Sequence, residues 1–180
     1  MSEIQGWMNE KELEWLSEQA GKANIIVEIG CWKGRSTVAL ASNCKGIVFT
    51  VDNWRGNPDR RETTHKEVTT EEGRSKVLNE AKKNLKEWLG KSLFILEMNS
   101  HEGYKILKKT LKYSLADFIF IDGDHSYETV IEDIMNYSYL LKADGILSGH
   151  DISWPGVKKA LDELYPDYKN GAGSIWWTQI

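Results

Sequence analysis

The sequence is poor in cysteine and proline and has no apolar run long enough to span a membrane. Its two cysteines, Cys31 and Cys44, are too few for a disulfide framework and lack the CxxC spacing of zinc or redox sites. We expect both to be buried small apolar residues. A membrane span needs roughly 18 apolar residues, and the first residues lack the charged-then-apolar order of a signal peptide. We therefore predict a cytoplasmic protein with no membrane partner.

The chain also lacks an excess of positive charge. Its net charge is −4, so there is no overall basic field and nucleic acid is not an expected partner. At 180 residues it is long enough for one domain with its own core. The oligomeric state is open, with a homodimer among the states that the sequence allows.

Apolar runs of strand length alternate with segments of helical period from end to end. The runs are continuously apolar, which is typical of parallel strands covered on both faces. We predict an α/β fold in a single domain over residues 1–180, with a doubly wound, mostly parallel sheet of six or seven strands and helices on both faces. The predicted strands are NIIVEIG, GIVFTVD, SLFILEM, DFIFIDG, GILSGHD and SIWWTQI.

Helices are indicated by caps and by apolar residues at helical spacing. Residues 1–21 contain an N-terminal helix, in which Asn9 and Glu12 form a capping box and Gly21 is the stop signal. Pro155 suits the first turn of the last helix. The apolar faces of the three later helices comprise Val77, Leu78, Ala81, Leu85 and Trp88; Val130, Ile131, Ile134, Tyr137 and Leu141; and Val157, Ala160, Leu161 and Leu164.

A long polar segment, residues 53–74, interrupts this alternation. Connections above roughly 12 to 15 residues are usually functional or disordered. Two interpretations stand side by side: a solvated excursion, or a lid over a site at the carboxyl end of the second strand, where open α/β sheets bind ligands.

The stretch VEIGCWKGRST follows the first strand and opens the first helix after it, so its free backbone N–H groups face the ligand crevice. Gly30 and Gly34 let the backbone turn and approach a ligand closely. Trp32 stands where a dinucleotide site would have its middle glycine. Glu28 precedes the turn and suits a ligand with a positive group. A plain strand-to-helix turn would account for the glycines alone.

Asp52 ends the next strand, 24 residues after Glu28, where a carboxylate can accept hydrogen bonds from both hydroxyls of a ribose. Together, Glu28, Gly30, Gly34 and Asp52 resemble the first two motifs of class I S-adenosylmethionine-dependent methyltransferases. The resemblance implies that the turn, with Trp32 and Ser36, holds the methionine half of the cofactor and that Asp52 holds the ribose.

Further along, FIFIDGDHSYETVIEDI and LLKADGILSGHDI resemble a bacterial small-molecule branch that includes cephalosporin-hydroxylase-like and macrolide-sugar O-methyltransferases. The resemblance implies that Asn99 contacts the adenine amino group, where the family often has an acid. Ser100 would join it, or would instead be a helix N-cap with His101 as a bystander. Asn53 and Trp54 would flank the adenine face, although Trp54 is equally suited to the core.

The same resemblance implies a divalent metal site at the ends of strands four and five. Its ligands would be Asp122, which also borders the cofactor, His150 and Asp151. A nitrogen ligand would shift the preference from magnesium toward manganese, iron or zinc. Alternatively, His150 is the base rather than a ligand.

A hydroxyl nucleophile must lose its proton, which a metal or a histidine can achieve. His125 and His150 are the candidate bases, with Asp124 as an orienter or second ligand, or else Asp124 and His125 only cap the helix that follows. We thus predict methyl transfer from S-adenosylmethionine to a small molecule, with magnesium or manganese as a candidate metal. A nucleotide-sugar glycosyltransferase using DGD, and a non-catalytic S-adenosylmethionine- or nucleotide-binding module, remain alternatives.

Overall fold

The computed structural model describes residues 4–56 and 66–180. Its strands are β1 (Ile25–Ile29), β2 (Ile47–Asp52), β3 (Leu93–Glu97), β4 (Ala116–Ile121), β5 (Leu141–Gly149), β6 (Lys169–Asn170) and β7 (Trp176–Gln179). They form one sheet in the order β3-β2-β1-β4-β5-β7-β6. The first five are parallel, whereas β7 runs antiparallel to β5 and β6. The predicted doubly wound, mostly parallel sheet is confirmed.

Helices cover both faces of this sheet. They are α1 (Glu10–Ala20), α2 (Arg35–Ala41), α3 (Glu71–Asn84), α4 (Ser100–Thr110), α5 (Tyr127–Ser138) and α6 (Pro155–Leu164). Residues of α1, α2 and α3 share one buried apolar cluster, and residues of α4, α5 and α6 share the other. Each helix therefore stabilises the sheet through one apolar stripe.

The helix ends follow the local signals in most places. Asn9 accepts hydrogen bonds from the backbone of Lys11 and Glu12 through Oδ1, while the Glu12 carboxylate accepts from the Asn9 N–H, so the predicted capping box is present. Gly21 ends α1, and Pro155 is the first residue of α6.

Some predicted boundaries differ from the structure. Residues 71–74 of the predicted loop belong to α3, because the Thr70 hydroxyl caps that helix. Residues 57–65 of the same loop lie outside the described residues. Leu141 begins β5 rather than ending a helix. The two-residue β6 carries no apolar run that could have predicted it.

Two further observations concern the surface and the thiols. None of the described helices is long and apolar enough to cross a bilayer. Cys31 is buried as predicted, whereas Cys44 is only half-buried, and both are free thiols.

Candidate active site

Four parallel strands end in register at one edge of the sheet. Ile29 of β1 pairs with Val51 of β2 and with Ile121 of β4, and Ile121 pairs with Gly149 of β5. The residues that follow these strands therefore lie side by side, where the strand order reverses and open α/β sheets bind ligands. A cleft of about 390 Å³ opens there, within the range of small-molecule sites.

Most of the predicted site residues border this cleft. They are Gly30, Trp32, Ser36, Asp52, Asn53, Asn99, Ser100, Asp122, Asp124, His125, His150 and Asp151. Glu28 and Gly34 are the two that do not line it. The register of the sheet thus brings together residues that are more than 100 positions apart in the chain.

The glycine turn after β1 is tightly packed. Gly30 has φ 94°, and a Cβ there would overlap the carbonyl oxygen of Asp122. Gly34 caps α2 with φ 87°, and a Cβ there would press on the side chain of Leu85. Trp32 has φ 50°, the left-handed conformation that glycine adopts easily and that costs other residues about 1–2 kcal/mol. Gly34 therefore provides the left-handed backbone of the cap and room for the Leu85 side chain. Gly30 allows the chain after β1 to approach the chain after β4 closely.

Glu28 lies beneath this turn and not on the cleft wall, which differs from the expected ligand contact. It is fully buried and accepts hydrogen bonds from Ser36 Oγ (2.6 Å), Thr37 Oγ1 (2.6 Å) and Thr50 Oγ1 (2.7 Å). Burial raises the pKa of Glu28 to about 7, although the three hydroxyl donors oppose the change. Glu28 thus joins β1, α2 and β2 under the turn, and Ser36 is directed toward it.

Asp52 holds the turn from the cleft side. Its Oδ2 accepts from the N–H groups of Cys31 and Trp32, both at 2.8 Å, and its Oδ1 accepts from the N–H of Trp54 at 2.7 Å. Both carboxylate oxygens of Asp52 therefore already accept from backbone N–H groups, so a ribose hydroxyl would share these oxygens with the turn. Burial raises the pKa of Asp52 against these backbone donors.

Trp54 and Asn53, which follow Asp52, differ in burial. Trp54 is only 2% exposed, has φ 50° and donates from Nε1 to the Trp32 carbonyl at 2.8 Å. It belongs to the apolar core on that face of the sheet, the second of the two roles considered for it. Asn53 stays exposed at the cleft, with its Oδ1 accepting from the Arg55 N–H.

The two cations of the turn are engaged elsewhere. Lys33 is buried and its ammonium contacts Glu67 (3.1 Å) and Glu80 (3.2 Å). Arg35 donates to the carbonyls of Ile4 and Met8 and so holds the segment before α1 against the cleft.

After β3, the structure exchanges the roles predicted for two neighbours. Asn99, and not Ser100, is the N-cap of α4, because its Oδ1 accepts from the Glu102 N–H at 2.9 Å. Its Nδ2 donates to the Glu102 carboxylate at 3.0 Å. Ser100 lines the cleft, and His101 points to Glu132 on the exposed surface. Both polar atoms of Asn99 are therefore already bonded at this edge of the cleft.

At the ends of β4 and β5, two carboxylates and a histidine converge. One potential ligand atom from each of Asp122, His125 and Asp151 lies within 4.8 Å of the others. His125 Nε2 is 2.6 Å from Asp151 Oδ2, and Asp151 has φ 59°, a conformation that few residues other than glycine adopt. Burial alone would raise the pKa of Asp151, but hydrogen bonds from His125 and His150 hold it well below its usual range.

His150 lies beside this trio, with its ring directed to α1. Its Nε2 is 3.1 Å from Glu12 Oε1, whereas Nδ1 lies 3.4 Å from Asp151 and 3.8 Å from Asp122. Burial lowers the pKa of His150, but the hydrogen bond to Asp151 and the surrounding carboxylates raise it to about 9. His125 thus joins the two predicted carboxylates, and the predicted His150 also faces both of them through Nδ1.

Asp124 and Trp154 frame the same region. Asp124 Oδ1 accepts from the Ser126 N–H at 2.6 Å, so it supports the start of α5, the alternative considered for it. The rings of His125 and Trp154 lie 5.2 Å apart.

Three site features were not predicted from the sequence. Residues 5–8 line the cleft, Glu12 contacts His150, and Asp133 reaches the cleft from α5. A signal existed for Asp133, because it is a charged residue next to the apolar stripe of that helix. Glu12 and the segment before α1 gave none, since their contacts depend on how the N-terminal helix packs.

Residues 27–152 match a family described as a methyltransferase domain. The chain belongs to this family. The match covers both glycines of the turn, Asp52 and the ends of β4 and β5, and it confirms the resemblance and the methyltransferase prediction drawn from the sequence. It decides against the glycosyltransferase alternative. No curated protein matches the chain significantly.

Solved structures of methyltransferases share the fold. An O-methyltransferase from Bacillus cereus, in complex with SAH, aligns with a TM-score of 0.70 and 16% identity, covering 99% of this chain and 86% of that one. CalS11, a calicheamicin methyltransferase, gives 0.69 and 13%, covering 93% and 76%. The N-methyltransferase NodS from Bradyrhizobium japonicum WM9 gives 0.55 and 17%, covering 93% and 90%. One fold therefore serves oxygen and nitrogen acceptors, and the acceptor must be argued from the site.

Proposed function

We propose that this methyltransferase transfers a methyl group from S-adenosylmethionine to a hydroxyl of a small molecule. The observation that carries the proposal is one cleft with two chemically distinct ends. The strand order places Asp52 and the glycine turn, after β2 and β1, on one side of the cleft and His125 and Asp151, after β4 and β5, on the other, with Asp122 between them. A hydroxyl acceptor needs such a base, because it must lose a proton during transfer.

His125 is the proposed general base. Asp151 accepts from His125 Nε2 at 2.6 Å and so fixes the orientation of the imidazole ring beside the cleft. Bound S-adenosylmethionine would supply the methyl group on its sulfonium, so that the hydroxyl oxygen would form the new C–O bond as the S–C bond breaks and its electron pair returns to sulfur. The proton goes to His125, and the Asp151 carboxylate stabilises the resulting imidazolium. Placement of the acceptor behind the methyl supplies much of the rate.

Asp122, His125 and Asp151 also fit a divalent cation, since two carboxylates and an imidazole are common ligands of manganese and zinc. A cation there would lower the pKa of the acceptor hydroxyl. His125 Nε2 can either donate to Asp151 or bind a cation, but not both. His150, the ligand predicted from the sequence, turns Nδ1 toward the same two carboxylates and is a further candidate ligand. The two modes of proton removal are therefore mutually exclusive and separable by experiment.

Cofactor binding is tested by thermal unfolding. A ligand at about 100 times its dissociation constant adds about 2.7 kcal/mol of stability, which for a chain of this length raises Tm by roughly 5–10 °C. We expect this rise with S-adenosylhomocysteine but not with NAD or UDP. Protection by NAD alone would refute the proposal.

Catalysis is tested with S-adenosylmethionine and a panel of phenolic and sugar hydroxyl acceptors, because turnover separates an enzyme from a binding module. His125→Ala should lower kcat at least about 100-fold while the affinity for S-adenosylhomocysteine stays within about twofold. His101→Ala, an exposed histidine outside the cleft, is the matched control. Complete chelation that leaves the rate unchanged would assign the reaction to His125 alone, whereas loss of the rate would assign it to the cation mode.

The acceptor is proposed to be a free small molecule. A cytoplasmic location and a homodimer stay predictions, which fractionation and light scattering can test.

A further inference from the structure

A buried carboxylate at the start of α1 contacts a histidine of the candidate active site. Glu12 is 3% exposed, and its Oε1 lies 3.1 Å from Nε2 of His150, a contact that spans 138 positions of the chain. Glu12 does not itself line the cleft. The modes of proton removal described above do not use it, which leaves this buried acid without an assigned role.

Three parts of the fold hold the Glu12 carboxylate. Its Oε2 accepts from the Asn9 N–H at 2.8 Å, within the capping box of α1. Its Oε1 accepts from the Ser174 N–H at 2.7 Å, in the segment between β6 and β7. In the same segment Gly173 has φ 56°, and a Cβ there would overlap Oε1. The carboxylate therefore has one defined position, and Oε1 is the atom that meets the His150 ring.

The backbone of His150 is fixed independently of its ring. Its N–H donates to the Ile121 carbonyl at 3.1 Å, and its carbonyl accepts from the Trp176 indole at 3.2 Å. The torsion that turns a histidine ring is broad and roughly two-fold. The backbone alone therefore does not decide which ring nitrogen faces Asp122 and Asp151.

The contact with Glu12 decides between the two ring orientations. An ionised carboxylate accepts hydrogen bonds but cannot donate them, so Nε2 carries the proton in this contact. Nδ1 then lies 3.4 Å from Asp151 and 3.8 Å from Asp122, the two carboxylates of the candidate cation site. A histidine binds a metal through a deprotonated nitrogen, and in this orientation that nitrogen is Nδ1.

We propose that Glu12 is the positioning residue that makes His150 a metal ligand, an inference that rests on the cation mode of the function proposed above. Glu12 keeps the proton on Nε2 and holds the ring, so that Nδ1 joins Asp122 and Asp151 as a donor. Metal-binding histidines almost always donate their other N–H to a carboxylate, a carbonyl or water. Loss of such a partner typically lowers metal affinity about 10–100-fold.

Calorimetry with Mn²⁺ and the full chain tests this role. Glu12→Ala should weaken Mn²⁺ binding about 10–100-fold, with circular dichroism to check that the variant is folded. Glu12→Gln should bind Mn²⁺ at least about threefold more tightly than Glu12→Ala, because its amide oxygen can still accept from Nε2. Both variants lack the negative charge, so equal losses would indicate a general electrostatic effect and would overturn the proposal.

A double-mutant cycle shows whether Glu12 acts through His150. In a His150→Ala background, Glu12→Ala should lower the Mn²⁺ affinity by no more than about twofold further, whereas losses that multiply would overturn the proposal. Asn9→Ala is the matched control, because it removes the side-chain half of the capping box and leaves the contact with His150. Equal losses in Asn9→Ala and Glu12→Ala would place the effect in the end of α1 and contradict a role through His150.

Nitrogen NMR of the parent protein needs no Glu12 variant. With Zn²⁺ as a diamagnetic probe, and with His150→Gln to assign the signals, the His150 ring should carry its proton on Nε2 and the metal on Nδ1. The reverse arrangement would overturn the proposal, and so would a parent protein that binds S-adenosylhomocysteine but not Mn²⁺. If the parent protein does not bind S-adenosylhomocysteine, it is the proposed methyl transfer that fails.

Discussion

Replacing Glu28 by glutamine should alter how the stability of the protein depends on pH. The Glu28 carboxylate is fully buried under the turn and its partners are all hydroxyls: those of Ser36, Thr37 and Thr50. Hydroxyls can donate or accept, so they can rotate to bond a glutamine of nearly the same shape. Glu28→Gln therefore removes the ionisable proton while it largely preserves the packing.

The magnitude follows from the pKa. Burial raises the pKa of Glu28 from 4.5 to about 7, so the folded state binds the proton more tightly than the unfolded state does. The contribution of Glu28 to the unfolding free energy is fully present below pH 4.5 and is lost as the pH rises to 7. A salt-bridged acid behaves in the opposite way, because its contribution is lost as the pH falls. At about 1.4 kcal/mol per pKa unit, the total loss is roughly 3 kcal/mol.

Urea unfolding at pH 5 and pH 8 measures this effect. From pH 5 to pH 8, the unfolding free energy of the parent should fall by about 2–3 kcal/mol more than that of Glu28→Gln. Glu14→Gln, an exposed acid on α1, should show no such gain. Because Asp133 also has a raised pKa, the parent alone is not diagnostic and the difference between profiles is the measured quantity. The reasoning is refuted if the unfolding free energies of the parent and of Glu28→Gln change by the same amount between pH 5 and pH 8.

Three further predictions concern the turn. Trp54→Phe removes the donor to the Trp32 carbonyl and should lower the unfolding free energy by about 1–3 kcal/mol in urea titrations. Gly30→Ala should cost at least about 3 kcal/mol, since a Cβ overlaps the Asp122 carbonyl; calorimetry should show a Tm lower by roughly 6–12 °C. Lys33→Met should leave the affinity for S-adenosylhomocysteine within about twofold by calorimetry, because the Lys33 ammonium faces Glu67 and Glu80; a tenfold loss would place Lys33 in the cofactor site.

The sequence predicted the architecture because strand ends are local signals. Continuous apolar runs identify buried parallel strands, and the polar residue after each run then falls at the carboxyl edge. Asp52, Asp122 and Asp151 each end or follow such a run, and all three line the cleft.

Side-chain partners across the fold could not be predicted in the same way. The capping box was predicted because Asn9 and Glu12 lie only three positions apart. The second contact of Glu12, to His150, spans 138 positions. That contact engages Nε2 of His150, so only Nδ1 of this ring faces Asp122 and Asp151. The end of the long polar segment was not predicted, since the Thr70 cap that begins α3 resembles the other threonines nearby.

The turn after β1 shows how a tertiary contact can replace the freedom of a glycine. Trp32 holds a left-handed backbone that its side chain disfavours. Its N–H is bound by the Asp52 carboxylate, and its carbonyl by the Trp54 indole. Both partners come from β2 and the residues just after it, so the second strand imposes the shape of the turn. Asp52 is then at once the predicted ribose ligand and a support of the loop that is predicted to hold the methionine half of the cofactor. Because both of its oxygens already accept from backbone N–H groups, a ribose hydroxyl that binds Asp52 would share those oxygens with the turn. We therefore expect cofactor binding and the conformation of the turn to be linked through a single carboxylate.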